Sequence, residues 1–195
     1  MRKTPAQSRS RATVEVILEA AVQLLEAGGE RGFNTNAVAE RAGVSIGTLY
    51  RYFPDKQAIL VALARREMDA VNATTSALAA EGSPGIARDR AIIRAFLHAF
   101  GGRTTARRAA IAALLAHADP VELASGYATV DRSFVDAQGQ RLPPIRAFVL
   151  SRAVQGAMRA AVMEGVDFLH APEFEDELVR LGRVYLGYTA GKPRR

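Results

Sequence analysis

Asn34-Thr-Asn-Ala-Val-Ala-Glu-Arg-Ala-Gly-Val-Ser-Ile-Gly-Thr-Leu-Tyr-Arg-Tyr-Phe-Pro-Asp-Lys56 reads as two short helices joined at a tight glycine turn, a helix-turn-helix over about residues 34–53. In the first helix Val38, Ala39 and Ala42 fall on one face, and Asn34 or Thr35 can cap its start. Gly43 supplies the left-handed position that ends it, Val44 fills the angle between the helices, and Ser45 can cap the second. The second helix is expected to run to Tyr52 with Leu49 and Phe53 inward. Ile46, Gly47, Thr48, Tyr50, Arg51 and Tyr52 then point elsewhere. An outer face of small, hydroxylated and aromatic side chains suits a DNA major groove: Thr and Tyr can bond phosphates or base edges, and Ile46 can touch a thymine methyl.

Two residues are out of place in an ordinary helical hairpin. A glycine inside a helix costs about 1 kcal/mol relative to alanine, so Gly47 calls for a reason such as close backbone approach to DNA. Lys56 follows Asp55, a natural N-cap, and so places a cation in a first helical turn, against the macrodipole. A facing phosphate would reverse that penalty. The competing account makes Gly47 a packing device and Lys56 a solvated charge.

Gly-Phe-x-x-Asn/Thr, followed by Ala-Glu-Arg-Ala-Gly-Val-Ser-x-Gly-Thr-Leu-Tyr-x-Tyr-Phe-x-x-Lys, resembles the DNA-binding domain of the TetR family of bacterial one-component regulators over about residues 10–70. The resemblance implies an all-α, dimeric, repressor-type protein with a variable C-terminal ligand domain. It implies that Thr35, Tyr50, Tyr52 and Lys56 lie where the family contacts phosphates, and Asn36, Ile46, Gly47 and Thr48 where it meets bases. Ser45 and Arg51 complete the expected DNA-binding set. Beyond about Leu63 the resemblance offers no pattern.

Composition bounds the remainder. A chain of 195 residues, 49% hydrophobic, permits one compact protein with one or two cores. A net charge of +6, from 26 basic and 20 acidic residues, agrees with a polyanionic partner without locating it. The absence of cysteine excludes disulfides and thiolate metal sites. No apolar run approaches a membrane span, and no secretory core follows the N-terminal charges, so a cytoplasmic protein without a membrane partner is expected.

Residues 1–9 carry Arg2, Lys3 and Arg9 with little apolar content and are expected to form a disordered basic arm. From about Thr13, Val14, Ile17, Leu18, Ala21, Leu24 and Leu25 trace one amphipathic helix stopped at Gly28-Gly29, and Phe33 anchors it to the helix-turn-helix. A longer helix begins after Asp55 and reaches the late seventies; serving both halves, it can transmit movement. Helices are then expected over Ala91 to Phe100, over about Thr105 to Ala118, and after Asp119-Pro120. The scattered His98, His117 and His170 lack metal-site spacing, Arg103, Arg107 and Arg108 form a basic cluster read as a solvated face, and no nucleophile or phosphate-loop motif frames the hydroxyls. No metal, cofactor or catalytic residue is expected. A helical enzyme is the competing reading from another class.

The last two helices differ from the middle ones. From Pro143-Pro144 to about Glu164, Ala153, Gly156, Ala157 and Ala160 form a small-residue stripe that lets another helix come close. After Pro172, Leu178, Leu181 and Tyr185 follow Phe174 at helical spacing, and both stripes suit a four-helix homodimer interface. The expected architecture is all-α, about nine helices: an arm at 1–9, a DNA-binding domain at 10–70, and an effector-binding and dimerisation domain at 71–195. A largely apolar small-molecule effector would sit among Phe96, Phe100, Leu114, Tyr127, Phe134 and Met158, oriented by Tyr127, His98 and His117. The expected function is a transcriptional regulator, a repressor released from a palindromic double-stranded DNA operator; an activator or a ligand-independent regulator of the same fold is the alternative.

Overall fold

The computed structural model describes residues 5–80, 85–119, 121, 130–131 and 134–188, with a few side chains in these ranges, Phe100 among them, left undescribed. Eight α-helices lie within the described residues: α1 Pro5–Gly28, α2 Thr35–Ala42, α3 Ile46–Tyr52, α4 Lys56–Ala80, α5 Ile86–Leu97, α6 Thr104–His117, α7 Pro144–Glu164 and α8 Pro172–Tyr185. Among those residues the one β feature is an isolated bridge between Val135 and Arg141, so the fold is all-α. None of the described helices is long and apolar enough to cross a membrane. The helix expected after Asp119-Pro120 falls largely outside the described residues.

The chain divides into two compact units, the first containing residues up to Asp69 together with Phe100–Ala118, the second containing Ala70–Ala99 and the residues from Asp119 onward. The boundary read from sequence, a single domain from 71 to the end, does not describe this division. Helix α6 belongs with the first unit, and two acidic residues of α1 supply the reason. The Arg103 guanidinium donates to both carboxylate oxygens of Glu19 at 2.9 and 3.0 Å, and these bonds hold the Glu19 carboxyl below its ordinary pKa. Glu26 accepts the Ala106 backbone N–H at 2.8 Å, so a side chain from α1 caps the start of α6. The basic cluster is therefore not one solvated face. Arg103 is paired and Arg107 is 7% exposed, its guanidinium pushed down to about 10 by burial.

Within the first unit, Ile17, Leu18, Ala21, Val22 and Leu25 of α1 are buried with Phe33, Val38, Leu49, Phe53, Ile59 and Leu63. These are the apolar positions that the 3.6-residue period assigns to the inward faces. Helix α1 begins at Pro5, earlier than the expected arm allows, because Pro is tolerated at the first helical position and no breaker follows before Gly28. Residues 1–4 lie outside the described part.

In the second unit α5 packs along α8, and the pairing is ionic as well as apolar. Glu175, buried, accepts from Arg94 at 2.8 and 3.0 Å and from Arg90 at 3.0 Å, while Arg90 also pairs with Asp176. The Arg94 and Arg90 guanidiniums hold the Glu175 carboxyl below its usual pKa. Around them Ile93, Leu97, Leu150, Met158, Val162, Leu178 and Val179 form the apolar interior.

Candidate nucleic-acid interface and interior cavity

Three side-chain caps set the geometry of the reading head. Asn34 Oδ1 accepts the Ala37 N–H at 2.9 Å and starts α2; Gly43, at φ 65°, ends it in the left-handed conformation. Ser45 Oγ accepts the Thr48 N–H at 3.1 Å and starts α3, and Asp55 Oδ1 accepts the Ala58 N–H at 2.8 Å at the start of α4. With Leu49 fully buried and Phe53 nearly so, α3 can present only its opposite face. That face carries Ile46 and Tyr50, 38% and 52% exposed, with Gly47 and Arg51 also exposed.

The remaining expected DNA-binding residues border it. Asn36, Ser45 and Lys56 are exposed, Thr35 and Thr48 half-buried. Thr35 and Tyr50 share a hydrogen bond at 3.1 Å between their hydroxyls, which joins α2 to α3 at the rim and positions both groups together. Ser45 and Thr48 hydroxyls are likewise 2.9 Å apart. Tyr52 is placed differently: it is half-buried and its hydroxyl hydrogen-bonds with Ser10 of α1, which holds it below the ordinary phenol range. A Cβ added at Gly47 would meet nothing within 4 Å among the described residues, and its backbone is not left-handed, so nothing in the described part of the chain requires glycine there. Packing does not account for it.

The second unit holds a partly open cavity of about 380 Å³. Phe96, Phe134 and Met158 line it, as the sequence reading proposed for them. Phe100 and Leu114 do not lie on its described wall: Leu114 is buried in the first unit on α6, which the acidic residues of α1 hold there, and the Phe100 side chain and Tyr127 fall outside the described residues. His98 and His117 do not line it either; His98 lies 5.3 Å from His170, ring to ring. The polar groups on the wall include Arg88, Asp89 and Arg183, which the sequence reading missed. One signal could have found Arg88. Like Lys56 it is a cation in the first turn of a helix.

On α7 and α8 the proposed interface residues separate by burial. Ala153 and Ala160 are exposed, Gly156, Ala157 and Tyr185 half-buried, and Leu181 is 42% exposed, but Leu178 is buried and lines the cavity. Leu178 thus faces the interior of its own chain, three residues from the outward Leu181. Large apolar side chains extend the outer faces: Ile145, Phe148 and Val149 on α7 and Val184 on α8 are 45–80% exposed.

Within this all-α chain, residues 17–63, which hold the capped helix-turn-helix, match the family described as bacterial regulatory proteins, tetR family. The N-terminal segment is a TetR-family domain. The chain is 44% identical over 66 residues to the HTH-type transcriptional repressor KstR of Mycolicibacterium smegmatis, a match that covers 34% of this chain and 32% of that protein. It therefore spans about a third of the length of this curated relative. Its fold is that of a TetR-family transcriptional regulator from Streptomyces coelicolor, at TM-score 0.64 and 22% identity over 93% of this chain and 99% of that one. It is also that of the multidrug binding protein EbrR complexed with malachite green, at TM-score 0.59 and 21% identity over 86% and 96% of the two chains.

Proposed function

We propose that this protein is a sequence-specific DNA-binding transcriptional regulator, acting as a homodimer and a repressor, released from a palindromic operator by a small molecule held in the second unit. The observation that carries the reading is the outer face of α3: a glycine that nothing among the described residues requires, set between exposed Ile46 and Tyr50. A small, open helical face beside a first-turn lysine is what close approach to a phosphate backbone needs. Two copies related by a two-fold would read related half-sites about one helical turn or a multiple of it apart.

The exposed apolar and small-residue faces of α7 and α8 support the dimer, since large apolar side chains left outward on two helices suit burial against a second copy. A Cβ at Gly156 also meets nothing within 4 Å, leaving room for a neighbouring helix. The cavity supports an effector, and the neighbour bound to malachite green is a protein of the same fold holding an organic molecule. Ligand binding would release DNA by favouring a form in which α4, continuous from Lys56 to Ala80, has shifted.

DNA selected by the protein from a random pool gives the operator, and two variants then test the face. Gly47→Ala should stabilise the fold by about 0.5–1 kcal/mol in urea while weakening operator binding, opposite signs that only an external partner explains. Lys56→Ala should weaken specific and non-specific binding alike, and for a dimer should lower the salt slope by about 2. Unchanged affinity in both variants would remove α3 from the interface.

A further inference from the structure

We propose that the cavity of the second unit takes an apolar molecule bearing a single carboxylate, and that Arg88 is the residue that recognises it; this rests on the effector-binding reading above. Three charged side chains lie on the wall, and two are already matched. Arg183 Nη1 donates to Asp89 Oδ2 at 2.7 Å, a direct hydrogen-bonded pair. Arg88 Nη2 stands 3.8 Å from the other oxygen of Asp89, beyond hydrogen-bond reach. Its Nε is buried and finds no partner among the described residues. A buried N–H of a charged group without an acceptor is uncommon in folded proteins, and a ligand oxygen is the acceptor this position lacks.

The local charge sets the ligand's sign and its number of charges. Arg88, Arg183 and Asp89 together carry one positive charge in excess. A monoanion neutralises it; a doubly charged phosphate would leave a negative charge beside Asp89, and a cation would compete with Arg183 for it. The planar guanidinium, with Nε and Nη side by side, matches the two oxygens of a carboxylate. Arg88 also stands in the first turn of α5, whose N-cap Gly85 offers no side-chain acceptor, so a bound anion there is favoured by the helix dipole as well. The apolar part of the described wall sets the body of the molecule: Ile92, Ile93, Phe96, Phe134 and Met158 offer it hydrocarbon, beside the smaller polar contribution of Asn72, Thr75, Ser76 and Gln155. At the roughly 30 Å³ that one water occupies in the liquid, the space holds on the order of a dozen non-hydrogen atoms. A medium-length straight-chain carboxylate fits both requirements.

Titration calorimetry on the full chain with decanoate, decan-1-ol, decyltrimethylammonium and acetate tests this directly. Decanoate should bind about tenfold or more tighter than decan-1-ol, with the ammonium weaker than either, and acetate alone should give no saturable binding because it lacks the apolar body. Arg88→Met should remove the preference for decanoate while leaving decan-1-ol within about twofold, and Arg88→Lys should keep part of it. Thermal melting of each variant separates lost recognition from lost folding. Equal affinity of the unsubstituted protein for decanoate and decan-1-ol, or an undiminished preference in Arg88→Met, overturns the assignment while leaving the cavity as an effector site. Binding of none of the four probes overturns both.

Discussion

The outer face of α3 and the wall of the second unit's cavity are both built on buried apolar side chains, yet they leave their working surfaces in opposite ways. Behind α3, Leu49, Val38 and Ile59 have no exposed surface at all, and the helix is held by Ser45 at one end and by Phe53 at the other. The face that remains is set by side chains that are wholly buried behind it. In the second unit Met158, Ile93 and Leu178 are also buried from solvent, but they border about 380 Å³ of space. A reading surface needs its supporting side chains fully buried, whereas a binding site for a small molecule requires buried side chains to border open space.

The sharpest way to break this comparison is truncation on each side. Leu49→Ala should cost about 2–5 kcal/mol, because the side chain is fully buried and a core collapses only partly around a lost side chain. Met158→Ala should fall at or below the bottom of that range, since one side of Met158 already faces a void. Equal losses by chemical denaturation would mean that the second unit is as full as the first. Filling tests the same point from the other direction. Met158→Trp should cost less than the 1–3 kcal/mol usual for overpacking, and should abolish decanoate binding without altering operator affinity.

A smaller effect sharpens the first half of the comparison. Ser45→Ala removes the acceptor for the Thr48 N–H and should cost about 1 kcal/mol, read in urea, with operator affinity falling as α3 frays. A loss under a few tenths would show that tertiary packing alone holds the start of α3.

The smallest effect expected is a pH dependence in the second unit. Arg94 and Arg90 lower the pKa of Glu175 in the folded protein, so the unfolded chain binds its proton more readily. The contribution is fully present above the ordinary carboxylate value of about 4.3 and is lost as pH falls through the lower folded value. Melting temperatures of Glu175→Gln and the unsubstituted protein should therefore converge as the pH is lowered below about 4. A gap that stays constant would assign the stabilisation to packing of the Glu175 side chain instead.

Much of the first unit was legible because its signals are local. Asn34, Gly43, Ser45 and Asp55 each act within three or four residues of their own position, and a cap or a left-handed turn is a property of short sequence. Arg88 was missed although it carried the same signal as Lys56, a cation at a helix start; its neighbours Asp89 and Arg183 lie far apart in the chain and meet only in the fold. The stripe on α8 was seen as one surface. Burial split it, with Leu178 turned toward the cavity and Leu181 outward.

By itself the sequence determined the helical periodicity, the position of the helix-turn-helix, and the residues that α3 can turn outward, because each depends on spacings within one or two turns. Tertiary contacts alone place α6 in the first unit, take Arg107 off the solvated surface, pair the still exposed Arg103 with Glu19, and fix where the cavity lies. The placement of α6 involves contacts such as Glu26 with Ala106, 80 residues apart, which no local pattern encodes. A cavity is further removed still, since it is the space that many distant side chains leave unfilled.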